Sequence, residues 1–345
     1  MDRERGWSGS PRNGGSYWDG SSWYRLPDLC GANLANMHLD GMDLSYTNMK
    51  DANLTGANLE GTDLSYTNMK YANLSCANLK YANLSCADLG NADLFDATLT
   101  NADLAGADLA GADLAGADMK GVNMKGTKLS HADLAGADMK GVNLEDADLS
   151  WANLEGTDLS HADLSSANLT GANLYEANLS GANLTGANMK GTKLSHSDLS
   201  CANLEGTDLS HAKLGWANLT GANLEGTDLN HADLGWSNLP GADLSSANLT
   251  GANLEGTNLS HADLGWANLT GAVLYDASSD ANEKTYTLED MIERAYAKRY
   301  AYDEDTPYRE YYEPRSTVDW RAVLLCIVGI IIVVASMHHF NIGNS

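Results

Sequence analysis

The sequence predicts a stacked-repeat solenoid, and three observations predict it. A Leu or Met falls on every fifth residue from Leu29 to Leu274 without a slip, fifty centres in all, six of them Met. Two residues before each centre stands Ala, Thr or Ser almost every time, and one before usually stands Asn or Asp, as in Ala52-Asn53-Leu54 and Ala162-Asp163-Leu164. A period of five fits neither the 3.6 of an α-helix nor the 2 of an ordinary strand, so the array is a repeat architecture and not a string of conventional elements.

Residues 1–26 precede the array as a flexible lead-in. Met1–Gly20 is charged and rich in Gly, Ser and Trp, with no apolar run of the kind a secretory signal carries. Trp18, Trp23 or Tyr24 is available to fold over the open first coil, where strand edges would otherwise invite aggregation.

The array itself occupies 27–276. Its A(D/N)Lxx pattern resembles the pentapeptide-repeat family over about 70% of the chain. The resemblance implies an all-β solenoid, a right-handed quadrilateral β-helix in which each pentapeptide makes one side and four make a coil. It also implies that the central Leu and the small residue two before it point inward. The residue types agree with that: a core one side chain deep per wall holds a Leu and an Ala or Thr, not two large groups. Gly at the second position after many centres (Gly56, Gly61, Gly106) suits corner turns that need unusual φ. Fifty centres at four per coil give about 12 coils and a length of about 60 Å at the ~4.8 Å strand spacing. Met37, Met42, Val122 and Val142 occupy the small position and are expected to overfill the core, with the first coils the least regular.

After Tyr275 the pattern stops. Thr287 with Asp290 resembles a capping box, followed by Leu288, Met291, Ile292 and Ala295 at helical spacing, so 277–300 reads as a cap whose short amphipathic helix (288–300) covers the last coil. Residues 301–319 form an acidic, Tyr-rich linker. Ala322 to Met337 is an uncharged apolar run of sixteen residues, flanked by Trp320 and Arg321 on one side and His338, His339 and Phe340 on the other. That is somewhat short of the ~20 residues of a span, but the flanks extend it, and 320–340 reads as a single transmembrane helix followed by a short tail, 341–345. With Arg315 and Arg321 upstream, the repeat domain is expected on the cytoplasmic side of a tail-anchored, single-pass protein.

The charge is carried by the array, where residues 28–275 hold 31 Asp/Glu against 10 Lys and no Arg, −21 of the chain's −25. Such a surface disfavours direct nucleic-acid binding, which draws on Lys and Arg, and keeps a small-residue rod soluble. The five cysteines have no metal-type spacing; Cys76 and Cys86, half a coil apart, belong on opposite walls. A reducing compartment for the array is the simplest reading.

Large side chains recur with a spacing of twenty. His211 with His231, Trp216 with Trp236, and Tyr46 with Tyr66 should each stack in adjacent coils, and Trp266 should face the wall opposite Trp236. These seven are the candidate partner-binding residues. Two stacked imidazoles could share a metal, but no third or fourth ligand accompanies them, so no metal, cofactor or catalytic residue is assigned. No nucleophile with a base and no phosphate loop stands out, and a packed Leu core leaves no cavity for substrate. Longer duplications point the same way: ANLEGTDLSHA at 152–162 returns at 202–212, a shift that is not a multiple of twenty, so the copies face opposite walls.

The function expected is that of a non-enzymatic, membrane-tethered scaffold that meets an unidentified protein partner, with homo-oligomers open to it. The alternative, taken from the resemblance, is a DNA mimic acting on a topoisomerase, as in some pentapeptide-repeat proteins. The chain departs from that group in having no Phe among its centres, no break in the array and an apolar tail.

Overall fold

A computed structural model describes residues 28–273 together with two short strands, β1 (Ser16–Trp18) and β2 (Trp23–Arg25). β1 and β2 pair antiparallel with Tyr17 opposite Tyr24, so the lead-in contains a strand pair that its composition did not announce. The expected capping helix at 288–300, the linker, the membrane segment 320–340 and the tail all lie outside the described residues. Among the described residues no helix is long and apolar enough to cross a membrane.

From Asp28 onward the residue before each centre forms a parallel bridge with its equivalent twenty residues on, from Asp28 with Asn48 through Asn253 with Val273. Four pentapeptides therefore close one coil, and each coil hydrogen-bonds to the next. The central Leu or Met side chains are buried from Leu39 to Leu264, and the Ala, Thr or Ser two before them is buried over most of the array. Both inward positions expected from the resemblance are thus inward.

An accounting of one repeat explains its composition. Asp133 N–H donates to the Ala112 carbonyl of the preceding coil at 2.9 Å, while Leu134 and Gly136 donate to Asn153 and Glu155 of the following coil at 2.7 and 2.9 Å. Ala137 N–H returns to the Leu134 carbonyl at 3.0 Å and closes the corner turn. One amide, that of Ala135, has no backbone acceptor, and it donates to the Asp133 Oδ1 at 3.1 Å. The position before the centre is Asp or Asn because that short side chain can reach the amide two residues on, as in an Asx turn. Where the next coil carries Asn, its amide group bonds the same oxygen from above: Asn153 Nδ2 lies 3.0 Å from Asp133 Oδ1.

Every corner turn from residue 31 to 271 has positive φ at its third residue, 23 glycines and 26 other residues, with φ between 53° and 70°. That is the mark of a type II turn, which favours Gly or Asn there. Gly at these sites was expected; that Trp, Tyr, His and Cys share them was not.

The expectation that Met37 and Met42 overfill the core is corrected. They are 47% and 46% exposed, because among the described residues the first coil has a neighbouring coil on one side only. Val122 and Val142 do enter the core, one above the other, and the coils stay paired: Asn143 N–H to the Val122 carbonyl measures 3.1 Å. Each is preceded by a Met centre (Met119, Met139), whose unbranched chain adapts to the added volume. Buried Thr hydroxyls find acceptors in turn carbonyls, as Thr127 Oγ1 does at Met124 (2.6 Å) and Leu104 (3.1 Å).

Candidate functional site

The corner residues stack in four columns, and each large side chain leans towards the coil that follows. Four pairs of rings on successive corners stack (Tyr46/Tyr66, His196/Trp216, His211/His231 and Trp216/Trp236), and several side chains lie over a glycine at the next corner. A Cβ built on Gly256 would meet the Trp236 ring at 2.6 Å, and one on Gly251 would meet His231 at 2.6 Å. Glycine thus ends a ladder as well as permitting the turn.

One column runs His196, Trp216, Trp236 and ends on Gly256. The ring centroids are 6.3 and 5.5 Å apart with interplanar angles of 2° and 9°. The neighbouring column holds His211 over His231, with centroids 5.4 Å apart at 17°. These two columns are the opposite edges of a single wall. The corner turns at 211 and 216 bracket one side of the coil.

Along the His196, Trp216 and Trp236 edge of this wall lies an open trench of about 520 Å³, floored by Ser195, Gly215 and Gly235 and bordered by Lys193 and Lys213, with His211 and His231 outside its lining. Tyr175 stands at one end, its ring edge-on to His196 at 5.5 Å. A hydrogen bond with the Glu176 carboxylate, and its charge, hold the Tyr175 phenol above the usual range. Trp216 is 58% and Trp236 44% exposed, so a large apolar area faces solvent along this wall.

The other candidates lie elsewhere. Tyr46 and Tyr66 stack at 4.9 Å and 1° near the start of the array, and the neighbouring Cys86 thiol raises the Tyr66 phenol. Trp266 occupies the column of Tyr46 and Tyr66, diagonally opposite Trp236 and far along the axis from the tyrosines. The structure therefore gathers four of the seven predicted side chains on one wall and leaves three outside it. Trp320 and Arg321, the membrane flank, lie outside the described residues. Sequence reasoning missed Lys193, Lys213 and Tyr175 and did not single out His196. The signal was present: Lys replaces Asn or Asp before a centre at 193 and 213, twenty residues apart.

Three of the other lysines are paired. Lys120 reaches Asp138 at 2.6 Å and Asp118 at 3.5 Å, Lys125 reaches Glu145 at 2.7 Å, and Lys128 lies 3.5 Å from Asp108. Their partners, the Asp138 and Glu145 carboxylates first, raise the Lys120 and Lys125 ammonium groups. Cys30, Cys76, Cys86 and Cys201 are free and exposed.

The family model described as pentapeptide repeats matches successive overlapping windows from 28–61 to 237–276. Among solved structures the chain is similar to HetL, a pentapeptide repeat protein involved in heterocyst differentiation regulation from the cyanobacterium Nostoc, at 34% identity over 70% of this chain and 92% of that one, with a TM-score of 0.36. A second Nostoc pentapeptide repeat protein is 38% identical over 30% of this chain and 81% of its own, with a TM-score of 0.20. QnrB1, a plasmid-mediated fluoroquinolone resistance protein, is 23% identical over 51% of this chain and 84% of its own, with a TM-score of 0.34. No curated protein matches the chain.

Proposed function

We propose that this chain, which belongs to the pentapeptide-repeat family and so has that family's right-handed quadrilateral β-helix, is a non-enzymatic scaffold that presents the wall between His211/His231 and Trp216/Trp236 to a protein partner. The observation that carries the reading is the concentration of exposed aromatic rings on one wall, at corners where glycine would serve the fold better. Trp is over-represented among residues that dominate interface energetics, and two stacked and exposed on one edge form a ready anchor. The binding is lateral, along the wall, since the coil-to-coil hydrogen bonds leave no edge free for an added strand in the middle of the array.

The second half of the proposal is a membrane tether. It rests on the composition of Ala322–Met337 and its Trp320 and Arg321 flank, and it places the repeat domain on the cytoplasmic face. In alkaline extraction of native membranes, the full chain should stay in the pellet and a chain ending at Asp319 should be released. Release of both forms removes the tether from the reading.

A photo-crosslinking residue placed at His211 tests the wall. It should capture one protein in the native host, and the same group at Asp146, on another column, should not. The capture should disappear when Trp216 and Trp236 are both replaced by Gly. Equal capture from both positions would mean that this wall has no special role.

A further inference from the structure

We infer that the trench is an anion-binding strip whose ligand is a short acidic peptide segment of the partner, with two carboxylates on one side of an extended strand. The inference rests on the reading of this wall as a partner surface and names the chemistry it selects.

Its basis is the amide accounting. In almost every repeat the N–H of the residue after the centre is taken by Oδ1 of the Asp or Asn before the centre. At 128, 193 and 213 that residue is Lys, which has no acceptor to offer, and only 193 and 213 follow one another in adjacent coils. Among the described residues no acceptor is found for the amides of Ser195 and Gly215, which form the floor of the trench in successive coils. In the coil beyond, the pattern resumes, with Gly235 N–H donating to Asp233 Oδ1 at 3.1 Å. The two open amides share the wall and the outward direction of the amides that Asp caps elsewhere.

Above these amides stand the two ammonium groups. Among the described residues Lys193 and Lys213 make no ion pair, as is true also of Lys50, Lys70, Lys80, Lys140 and Lys190; what sets the two apart is that they stand beside the open amides in adjacent coils. Their backbones are paired directly, so two like charges stand one coil apart without a counter-ion.

The aromatic edge adds to the same preference. Trp216 has His196 over one face and Trp236 over the other, so both faces are taken and the ring edges point outward. An aromatic ring is positive at its edge, and indole and imidazole edges also carry N–H donors. The strip thus offers ammonium groups, unpaired amides and ring edges, all of which favour negative charge.

The ends of the strip limit the ligand. Glu155 lines one end and Asp233 the other, so only the middle, at Lys193 and Lys213, accepts a carboxylate. Two adjacent coils cover about 5 Å of axis, and alternate residues of an extended strand are about 6.6 Å apart, within the reach of two flexible Lys side chains. The segment that fits has acidic residues at i and i+2 and uncharged neighbours.

The test uses the full chain and three fluorescein-labelled peptides, Thr-Glu-Val-Glu-Thr and its Gln and Lys counterparts, measured by fluorescence anisotropy. The Glu peptide should bind, and more weakly as salt rises. The double substitution Lys193→Asn with Lys213→Asn removes both charges and restores both Asx acceptors. It should weaken the Glu peptide at least tenfold while the unfolding midpoint stays level or rises. Gly215 lacks positive φ and an added Cβ there meets nothing closer than 3.5 Å, so Gly215→Leu should fill the trench and abolish binding without disturbing the coil. Equal binding of the Gln peptide, sensitive to Gly215→Leu, would overturn the acidic selectivity and leave the partner wall intact. Absence of Glu-peptide binding, or binding unaffected by the Asn substitutions, would overturn the inference, while the crosslinking from His211 decides the wall separately.

Discussion

Residues 104–126 and residues 194–236 have the same backbone and opposite surfaces. In the first stretch all five corners are glycine: Gly106, Gly111, Gly116, Gly121 and Gly126. In the second, six of the nine are His196, Cys201, His211, Trp216, His231 and Trp236. The ladder bonds do not register the change: Leu109 N–H to the Lys128 carbonyl and Leu199 N–H to the Asn218 carbonyl both measure 2.7 Å. The interior sets the fold everywhere, and the corners are where the surface varies with little consequence for the coil. A non-glycine residue at positive φ costs about 1–2 kcal/mol, and a stacked aromatic neighbour returns about 0.5–1.5 kcal/mol. The rings of the second stretch therefore contribute close to nothing to folding, which is why a role outside the fold is assigned to them.

The largest effect should be the same in both stretches. Leu109→Ala and Leu214→Ala each remove a fully buried side chain and should each destabilise the array by about 2–5 kcal/mol in urea unfolding. A clearly smaller cost in the decorated stretch would show that its core is looser and break the equivalence. Next comes the Asx position: Asp133→Ala strips the acceptor from the Ala135 amide and from Asn153 Nδ2, and about 1–2 kcal/mol should be lost. The corner glycines follow. Gly226→Ala, with open space around the new Cβ, should cost about 1 kcal/mol from backbone strain alone. Gly256→Ala should cost more, because the methyl group meets Trp236, and it should alter the tryptophan fluorescence. Equal costs for the two would mean that the ladder does not rest on its terminal glycine.

A still smaller effect belongs to Asp158. Burial raises its carboxyl, but the hydroxyl and amide of Ser160, with Lys140 and Lys120 nearby, outweigh that and lower it below the ordinary carboxylate value. A group lowered in the folded state stabilises above its unfolded value and loses that contribution as the pH falls through its folded value. Asp158→Asn should accordingly lower the stability slightly at neutral pH and flatten the acid limb of the stability–pH curve, the difference from the parent vanishing as the pH falls through the folded value. A loss that persists or grows in acid would contradict the sign.

Most of the fold was legible because a period of five over fifty centres is rarely ambiguous, and stacking pairs fall directly out of a spacing of twenty. The pairs His211/His231, Trp216/Trp236 and Tyr46/Tyr66 were readable for that reason, and all three stack. That the first two edge one wall required knowing where the chain turns, because the large residues occupy the turn and not the flat side. Met37 and Met42 were misjudged because an inward position is buried only when coils lie on both sides of it. Lys193 and Lys213 were overlooked because their meaning lies in an amide they leave uncapped, which no single-residue pattern displays.

The measurement that tests the account most directly is a paired one on the full chain carrying both Trp216→Gly and Trp236→Gly. Urea unfolding and crosslinking from His211 would be followed on the same preparation. The account predicts an unfolding free energy within about 1 kcal/mol of the parent and complete loss of the crosslinked partner. A variant that unfolds as readily as Leu214→Ala, or one that keeps its partner, would contradict the claim that these rings serve recognition and not the fold.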